Sequence, residues 1–159
     1  MQKSPVLFLQ TVTVFIGTLA LAFLLWEPHI EGVNANATNF EMYFKDPFLA
    51  FVYIGSISFF VALFQIFKVL GYVKENKTFS QQTIQSLRTI RHSALVAIGF
   101  VVIGEIFIML NHGNDDAAGG VFMGLLAIAV AGTAVSIASL FEQIVQNILD
   151  TKSKNNLPV

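Results

Sequence analysis

The chain of 159 residues is 55% hydrophobic and only 12% charged, whereas about a quarter of the residues in an ordinary soluble domain are charged. It contains no cysteine, which excludes disulfides, thiolate metal sites and cysteine nucleophiles. Its formal net charge of −1 offers no electrostatic basis for binding a polyanion, so we expect no direct contact with nucleic acid.

Four long apolar runs occupy residues 5–26, 48–70, 93–110 and 121–141. A helix needs about 20 apolar residues to cross a hydrocarbon core of ~30 Å. Backbone amides cannot stay unpaired in lipid, and the runs lack the polar/apolar alternation of a barrel strand. The sequence therefore predicts an all-α integral membrane protein, a single domain over residues 1–159 that forms an antiparallel bundle of four transmembrane helices in the lipid bilayer.

Basic residues are distributed unevenly around these runs. Eight of the nine lie in or beside the N-terminal segment, the connection between the second and third runs, or the C-terminal segment: Lys3, Lys68, Lys74, Lys77, Arg88, Arg91, Lys152 and Lys154. The other two connections are acidic, with Lys45 as the remaining basic residue. By the positive-inside rule, the sequence predicts a multi-pass protein of the cell membrane whose N- and C-termini lie in the cytoplasm.

The first run is followed by a connection over residues 27–46 that contains Pro28, Gly32 and a polar tract at 34–39. This composition favours irregular structure, so we expect a loop here. The connection between the third and fourth runs, residues 111–120, is rich in Asn, Asp and Gly and predicts a tight turn.

The connection before the third run carries a helix-start pattern. Ser80 is an N-cap residue, and Phe79 and Ile84 have the spacing of a hydrophobic staple. A helix is therefore expected to begin at Gln81. Because the apolar helical period continues into the third run, residues 81–92 should extend that helix into the cytoplasm.

A similar extension is predicted for the fourth helix over residues 142–150. Its apolar stripe consists of Phe141, Ile144, Val145, Ile148 and Leu149. Two neighbouring helices with apolar stripes beyond the membrane can bury them against each other. We therefore expect a short intracellular stalk in which Leu87 or Ile90 contacts Ile144 or Ile148.

Small and polar residues within the runs predict helix packing. They are Gln10, Thr13 and Gly17 in the first run, Gly55, Ser58, Ala62 and Gln65 in the second, and Gly132, Ser136 and Ser139 in the fourth. Small residues let helices approach and polar ones form hydrogen bonds between them, which we favour over a path for a solute. A basic cluster of Lys74, Lys77, Arg88 and Arg91 could attract anionic lipid or an acidic partner, although membrane topology explains it equally well.

Several stretches resemble a known family. They are the run of residues 72–80, Leu87-Arg88-Thr89-Ile90, and the C-terminal Ile148-Leu149 with residues 155–159. They are similar to small bacterial four-span membrane proteins grouped as domain-of-unknown-function family 2975 (DUF2975). The tail departs from the family pattern, with Lys154 before the Asn pair and Pro158 where Thr is usual. The resemblance implies a link to a small helix-turn-helix regulator, and thereby signalling across the bacterial membrane.

Glu105 and Gln65 are the candidate polar residues inside the spans. A charge at the centre of a transmembrane helix costs roughly 2.5–3.5 kcal/mol on the insertion scale, so Glu105 requires an explanation. One interpretation is a protonatable or cation-binding group. The alternative is a structural carboxyl within reach of the outer interface or hydrogen-bonded to a neighbouring helix, and this is the one we favour.

A metal site is a weaker hypothesis. His29, Glu31, His112, Asp115 and Asp116 all fall on the predicted external side, and their nitrogen and oxygen donors could bind a divalent cation if the two loops met. No spacing enforces that convergence. We therefore expect neither a metal nor another cofactor.

The sequence contains no nucleotide-binding loop, metalloprotease motif or nucleophile elbow, so we expect no enzymatic activity. Two function classes remain. The first is an interaction, signalling or regulatory accessory subunit that acts with a protein partner or as a homo-oligomer. The second is a small transporter or ion-handling protein organised around Glu105.

Overall fold

The computed structural model describes residues 3–30, 36–45, 47–111 and 118–155. These ranges contain five helices: α1 (Lys3–Ile30), α2 (Asn39–Phe44), α3 (Pro47–Lys74), α4 (Gln81–Asn111) and α5 (Ala118–Asn155). No strand occurs in them. Helices α1, α3, α4 and α5 are long and apolar enough to cross a membrane. The prediction of an all-helical protein with four candidate spans is therefore confirmed.

The long helices pack as a row in the order α1, α3, α4, α5. In the α4–α5 contact, Arg88 meets Glu142 near one end and Ile108 lies beside Gly120 near the other. Within the described ranges, α1 and α5 form no extensive contact with each other, so each has one long neighbour. Much of their apolar surface is consequently exposed in the single chain.

Helices α3 and α4 approach closely at a glycine. A Cβ added at Gly55 would lie 2.9 Å from the ring of Phe100, which is inside normal contact distance. Two further aromatic pairs line the same contact, Phe51 with Phe100 at 4.9 Å between centroids and Phe48 with Phe107 at 5.0 Å. The missing side chain at Gly55 thus allows Phe100 to pack closely against α3.

The C-terminal part of α1 is held by tyrosines. Pro28 lies inside α1 and has no backbone N–H, so the carbonyl of Leu24 lacks its helical donor. The hydroxyl of Tyr53 on α3 donates to that carbonyl at 2.8 Å. The hydroxyl of Tyr43 donates to the carbonyl of Leu25 at 3.0 Å. These bonds let the helix continue past the proline to Ile30.

The expectation of irregular structure throughout residues 27–46 was therefore wrong. Helix α1 covers its first four residues, and α2 covers Asn39–Phe44. The sequence signal for α2 is a capping box, in which the Thr38 hydroxyl accepts from the Glu41 backbone N–H and the Glu41 carboxylate accepts from the Thr38 N–H. Lys45 adds an ion pair with Glu41 at 2.7 Å. Residues 31–35 lie outside the described ranges.

The turn between α3 and α4 caps the end of α3 and leads directly into the start of α4. Asn76 has a left-handed backbone (φ 59°), and the N–H groups of Lys77 and Asn76 donate to the carbonyls of Tyr72 and Val73 at 2.8 and 3.2 Å. This is the Schellman arrangement that ends a helix, with Asn in the position usually taken by glycine. Helix α4 then begins at Gln81, immediately after Ser80.

The buried core is small and lies at one end of the molecule. We call this the basic end, because Lys68, Lys74, Arg88 and Arg91 are found there. Its buried apolar residues are Ile84, Leu87 and Ile90 of α4 and Ala138 and Val145 of α5, with Ile66, Val69 and Leu149 packed against them. Towards the opposite end, large apolar side chains are mostly exposed, as expected for surfaces that face lipid.

The packing face of α5 differs from the expected stripe. Val145 is fully buried, but Ile144 is 50% exposed and Phe141 is also exposed. Two residues of the expected stripe, the buried Val145 and the partly buried Leu149, do pack in the core, in line with Ala138. Ile144 is turned away from this line, whereas Ile148 is half-buried, so the expected contact of Leu87 or Ile90 with Ile144 or Ile148 stays a prediction for Ile148.

The glycines of α5 also behave differently from expectation. A Cβ at Gly132 would meet nothing within 4 Å, and Ser136 is not buried, so this small-residue face is not closely packed within the chain. Gly124 is the buried glycine of α5. On α1, by contrast, Thr13 is buried, Gly17 lies against Leu63, and the Gln10 amide reaches the Phe67 carbonyl at 3.4 Å.

Candidate functional site

Glu142 of α5 joins the two longest helices through a pair of arginines. Its Oε1 accepts from Nε and Nη2 of Arg88, both at 3.1 Å. Its Oε2 lies 2.9 Å from Nη1 of Arg91, an ion pair without hydrogen-bond geometry. The Glu142 side chain is only 13% exposed. A shielded carboxylate that accepts two hydrogen bonds from one guanidinium group on a single oxygen, and lies beside a second guanidinium group, is held in a specific position.

Glu142 was missed at the level of sequence because only apolar positions of α5 were considered for packing. It is four residues after Ala138 and three before Val145, so it shares their face of α5. Its partners are three residues apart on one face of α4. An acidic residue in an otherwise apolar stripe, opposite two basic residues spaced by three, was the available signal.

The predicted basic cluster does not form a single exposed patch. Arg88 and Arg91 are paired with Glu142, and Lys77 is paired with Glu75 at 2.9 Å. The hydrogen bond and charge of Lys77 lower the pKa of Glu75, and the same bond from Glu75 raises the pKa of Lys77. Lys74 is exposed. Three of the four basic side chains therefore already contact a carboxylate, with Arg88 and Arg91 sharing that of Glu142.

The predicted cap is part of a small hydrogen-bonded cluster. The Ser80 hydroxyl accepts from the Thr83 backbone N–H at 3.3 Å, and the Thr83 hydroxyl donates to the Lys77 carbonyl at 3.2 Å. Thr83 is fully buried. Ile84 is buried too, whereas Phe79 is 46% exposed. The start of α4 is thus fixed mainly by the hydroxyl groups.

Glu105 lies on α4 against the backbone of α5. A Cβ at Gly124 would overlap Oε1 and Cδ of Glu105 and would lie 3.0 Å from its Cγ. The carboxyl group therefore occupies the space that a side chain at Gly124 would fill. Its Oε2 is buried and has no hydrogen-bond partner within the described structure. An unpartnered carboxyl oxygen in apolar surroundings is costly, which makes this the most unusual polar group in the spans.

A polar cavity of about 330 Å³ lies between α3 and α4 at the basic end. The last turns of α3 contribute Gln65, Lys68 and Tyr72, and the first turns of α4 contribute Gln82, Gln85, Ser86 and Thr89. Gln65, the second intramembrane candidate, has a buried Oε1 without a hydrogen-bond partner in the described structure. Gln65 and Glu105 do not share a site, because the cavity residues of α4 are 82–89.

The hypothetical metal ligands are mostly outside the described ranges: Glu31, His112, Asp115 and Asp116 lie there. His29 is described, and its Nδ1 lies 3.0 Å from the Leu25 carbonyl while its ring meets that of Tyr43 at 5.8 Å. Among the described residues, no group of three or more His, Cys, Asp or Glu side chains could hold a metal ion.

Comparison with known proteins gives the family. Residues 32–159 match the family described as "Protein of unknown function (DUF2975)". The chain belongs to the DUF2975 family. It is also 29% identical over 160 residues to a protein of Bacillus subtilis (strain 168) described as "Uncharacterized membrane protein YoaS", and the match covers 100% of both chains. No solved structure matches it.

Membership of the DUF2975 family agrees with the four candidate spans, since the Bacillus relative is described as a membrane protein. The family description assigns no activity. The candidate functional features of this DUF2975 protein are therefore the ion-paired α4–α5 contact, the Glu105–Gly124 contact and the polar cavity.

Proposed function

We propose that this protein is an interaction or regulatory subunit of the bacterial cytoplasmic membrane and has no enzymatic activity of its own. Four antiparallel spans hold it in the bilayer with both termini in the cytoplasm. The parts of α4 and α5 at the basic end then extend into the cytoplasm as a stalk, defined here as residues 81–92 and 142–150. The stalk is the surface that a partner protein recognises.

The orientation is supported by the charges. Lys68, Lys74, Arg88 and Arg91 lie at one end of the helices, together with Lys152 and Lys154 in the last turn of α5. Lys and Arg in short connections favour the cytoplasmic side of a bacterial membrane. Lys45, at the opposite end, is paired with Glu41.

The observation that carries the proposal is the position of the best-packed region. Four of the five buried residues of the core cluster, Ile84, Leu87, Ile90 and Val145, belong to the stalk. The Glu142 ion pairs lie beside them. Ile66 and Val69, in the last turns of α3, pack against this cluster, so the stalk is already ordered where it leaves the apolar spans. A rigid pair at this place can present side chains to a partner and can respond to movement of the spans.

The partner is expected to be a protein. The outer faces of the stalk carry exposed polar residues such as Gln81, Gln143 and Asn147, which suit a hydrated protein surface. The exposed apolar faces of α1 and α5 could contact a membrane partner or a second copy of this chain. A small helix-turn-helix regulator is the candidate that the family resemblance suggests, and nucleic acid would be bound by that partner only.

A photo-crosslinking experiment tests the stalk. A photoreactive residue at the exposed position Asn147 should give a defined protein adduct in cells, and one at Phe122 near the other end of α5 should not give the same adduct. Val145→Asp places a charge in the buried core and should abolish the Asn147 adduct. Ile144→Asp changes the exposed neighbouring position and should preserve it.

Identical adducts from Asn147 and Phe122, or equal behaviour of the Val145→Asp and Ile144→Asp variants, would contradict a specific stalk surface. Detergent-extracted protein should be checked by size-exclusion chromatography, so that loss of the adduct is compared only between variants that remain soluble and monodisperse.

A second candidate function is supported by Glu105. Its buried, unpartnered Oε2 is the kind of group that binds a proton or a cation within transporters. The two functions differ in their dependence on the carboxylate. Because Gln retains the shape of Glu, we expect Glu105→Gln to fold and to support wild-type crosslinking from Asn147. A variant that folds and crosslinks normally but loses all cellular function would favour the ion-handling function instead.

A further inference from the structure

We propose that the polar cavity between α3 and α4 binds the phosphate-bearing headgroup of an anionic glycerophospholipid, whose acyl chain lies in the groove between α1 and α3. This is a ligand site in addition to the protein-binding stalk, and it does not depend on that function.

The first support is the chemistry of the cavity wall. Lys68 contributes an ammonium group, Tyr72 a hydroxyl, and Gln82 and Gln85 amides, whereas no carboxylate lines the cavity. Within the described residues these four side chains make no hydrogen bond or ion pair to other protein groups. A cavity that offers a cation and several free donors without a competing acid is suited to a phosphate oxygen.

Lys68 and Lys74 make no ion pair among the described residues, unlike Arg88, Arg91 and Lys77, and of the two only Lys68 lines the cavity. Arg88 and Arg91 are matched by Glu142, and Lys77 is matched by Glu75. The ammonium of Lys68 instead lies 5.9 Å above the ring of Phe64. Its positive charge is therefore available to a ligand in the cavity, while its aliphatic stem can lie along the apolar helix surface.

Gln65 sets a second condition on the ligand, which must supply a hydrogen-bond donor as well as a phosphate. Its buried Oε1 has no donor in the described structure, although buried amide oxygens are nearly always paired. A headgroup with both a phosphate and a hydroxyl donor would contact Lys68 and, once the Gln65 amide turns its Oε1 towards the cavity, would satisfy Gln65 as well. The glycerol headgroup of phosphatidylglycerol has this combination, and the inorganic phosphate ions present at neutral pH share it but lack the acyl chain.

The second support is the apolar groove on the neighbouring face of α3. It has a volume of about 460 Å³ and is lined by residues that include Gly17, Thr18, Phe60 and Phe64. Phe64 belongs to this groove and also lies under the Lys68 ammonium. The groove and the cavity are thus linked through one side chain, with the cation at the basic end and apolar surface leading away from it. A lipid in the membrane leaflet at the basic end has the same arrangement, with its charged headgroup at the surface and its acyl chains towards the centre of the bilayer.

The test measures lipid binding to purified, delipidated protein by native mass spectrometry, with phosphatidylglycerol as the probe. Lys68→Met removes the charge and keeps the stem. A direct hydrogen bond between charged groups is worth about 1.5 kcal/mol or more, so we expect at least roughly a tenfold loss of affinity. Lys74→Met removes an exposed charge from the same end and should leave affinity unchanged, and Lys68→Arg should retain most of it.

A second arm identifies the source of the phosphate. Thr18→Phe fills the groove, so it should weaken binding of phosphatidylglycerol without affecting the Lys68 cavity. Inorganic phosphate at millimolar concentration should not compete with the lipid. Equal losses in Lys68→Met and Lys74→Met, or no loss in either, would overturn the site. Competition by inorganic phosphate together with wild-type affinity in Thr18→Phe would overturn the lipid as its ligand.

Discussion

At the scale of single residues, the contacts between helices depend on the space that remains where a glycine has no side chain. Gly55 admits the ring of Phe100, and Gly124 admits the carboxyl group of Glu105. Gly132 is in the same helix as Gly124 but faces open space. The consequence is that identical substitutions at these two positions of α5 should have different effects.

Gly124→Leu should destabilise the protein, because the new side chain and the Glu105 carboxyl cannot occupy the same space. Overpacking of this kind costs about 1–3 kcal/mol. Gly132→Leu is the matched control and should leave the thermal midpoint in detergent unchanged. Combining Gly124→Leu with Glu105→Ala should restore much of the loss, since the clashing group is gone. Equal midpoints for the two single variants would show that Glu105 does not occupy the Gly124 gap.

At the scale of elements, α4 and α5 are joined by a core and by one three-membered ion-pair cluster. Removal of the central carboxylate leaves Arg88 and Arg91 close together without a counter-charge. Both arginines are partly exposed, so solvent reduces the penalty that a buried unpaired charge would incur.

Glu142→Gln is therefore expected to lower stability by about 1–2 kcal/mol, an estimate placed below the cost of breaking a fully buried pair. Chemical or thermal unfolding in a mild detergent measures the change. Glu75→Gln is the control, because its pair with Lys77 is highly exposed and should contribute little. If both variants have the same unfolding midpoint as the wild type, the cluster does not stabilise the α4–α5 contact.

The elements were predictable from sequence where the signal is local. The four apolar runs predicted four long helices, and Ser80 marked the start of α4. Helix α2 was missed because its capping box, Thr38 with Glu41, lies in a tract judged by overall composition. Continuation of α1 through Pro28 was not predictable from α1 alone, since the Leu24 carbonyl is satisfied by Tyr53, 29 residues away.

The candidate sites were less predictable, because they depend on helix register. Glu105 could be singled out as an intramembrane acid, but its position at Gly124 follows from which faces of α4 and α5 meet. Glu142 could not be found from an apolar stripe, since such a pattern leaves charged residues out. The polar cavity combines residues of two helices around a turn and has no signature in either helix alone.

At the scale of the whole molecule, the helices form a row whose core is concentrated at the basic end. The remainder exposes apolar side chains along α1 and α5, which lipid or a partner must cover. This uneven distribution is what the proposed stalk requires, since the buried side chains are concentrated where α4 and α5 would leave the membrane. The proposed function therefore depends on the side of the membrane that the stalk occupies.

Cysteine accessibility in intact bacterial cells tests this most directly, because the chain has no cysteine of its own. Single cysteines at Asn36 and at Asn147, both exposed and at opposite ends, are treated with a membrane-impermeant maleimide. A cytoplasmic stalk predicts labelling of Asn36→Cys in intact cells and labelling of Asn147→Cys only after the membrane is permeabilised. Labelling of Asn147→Cys in intact cells would contradict it.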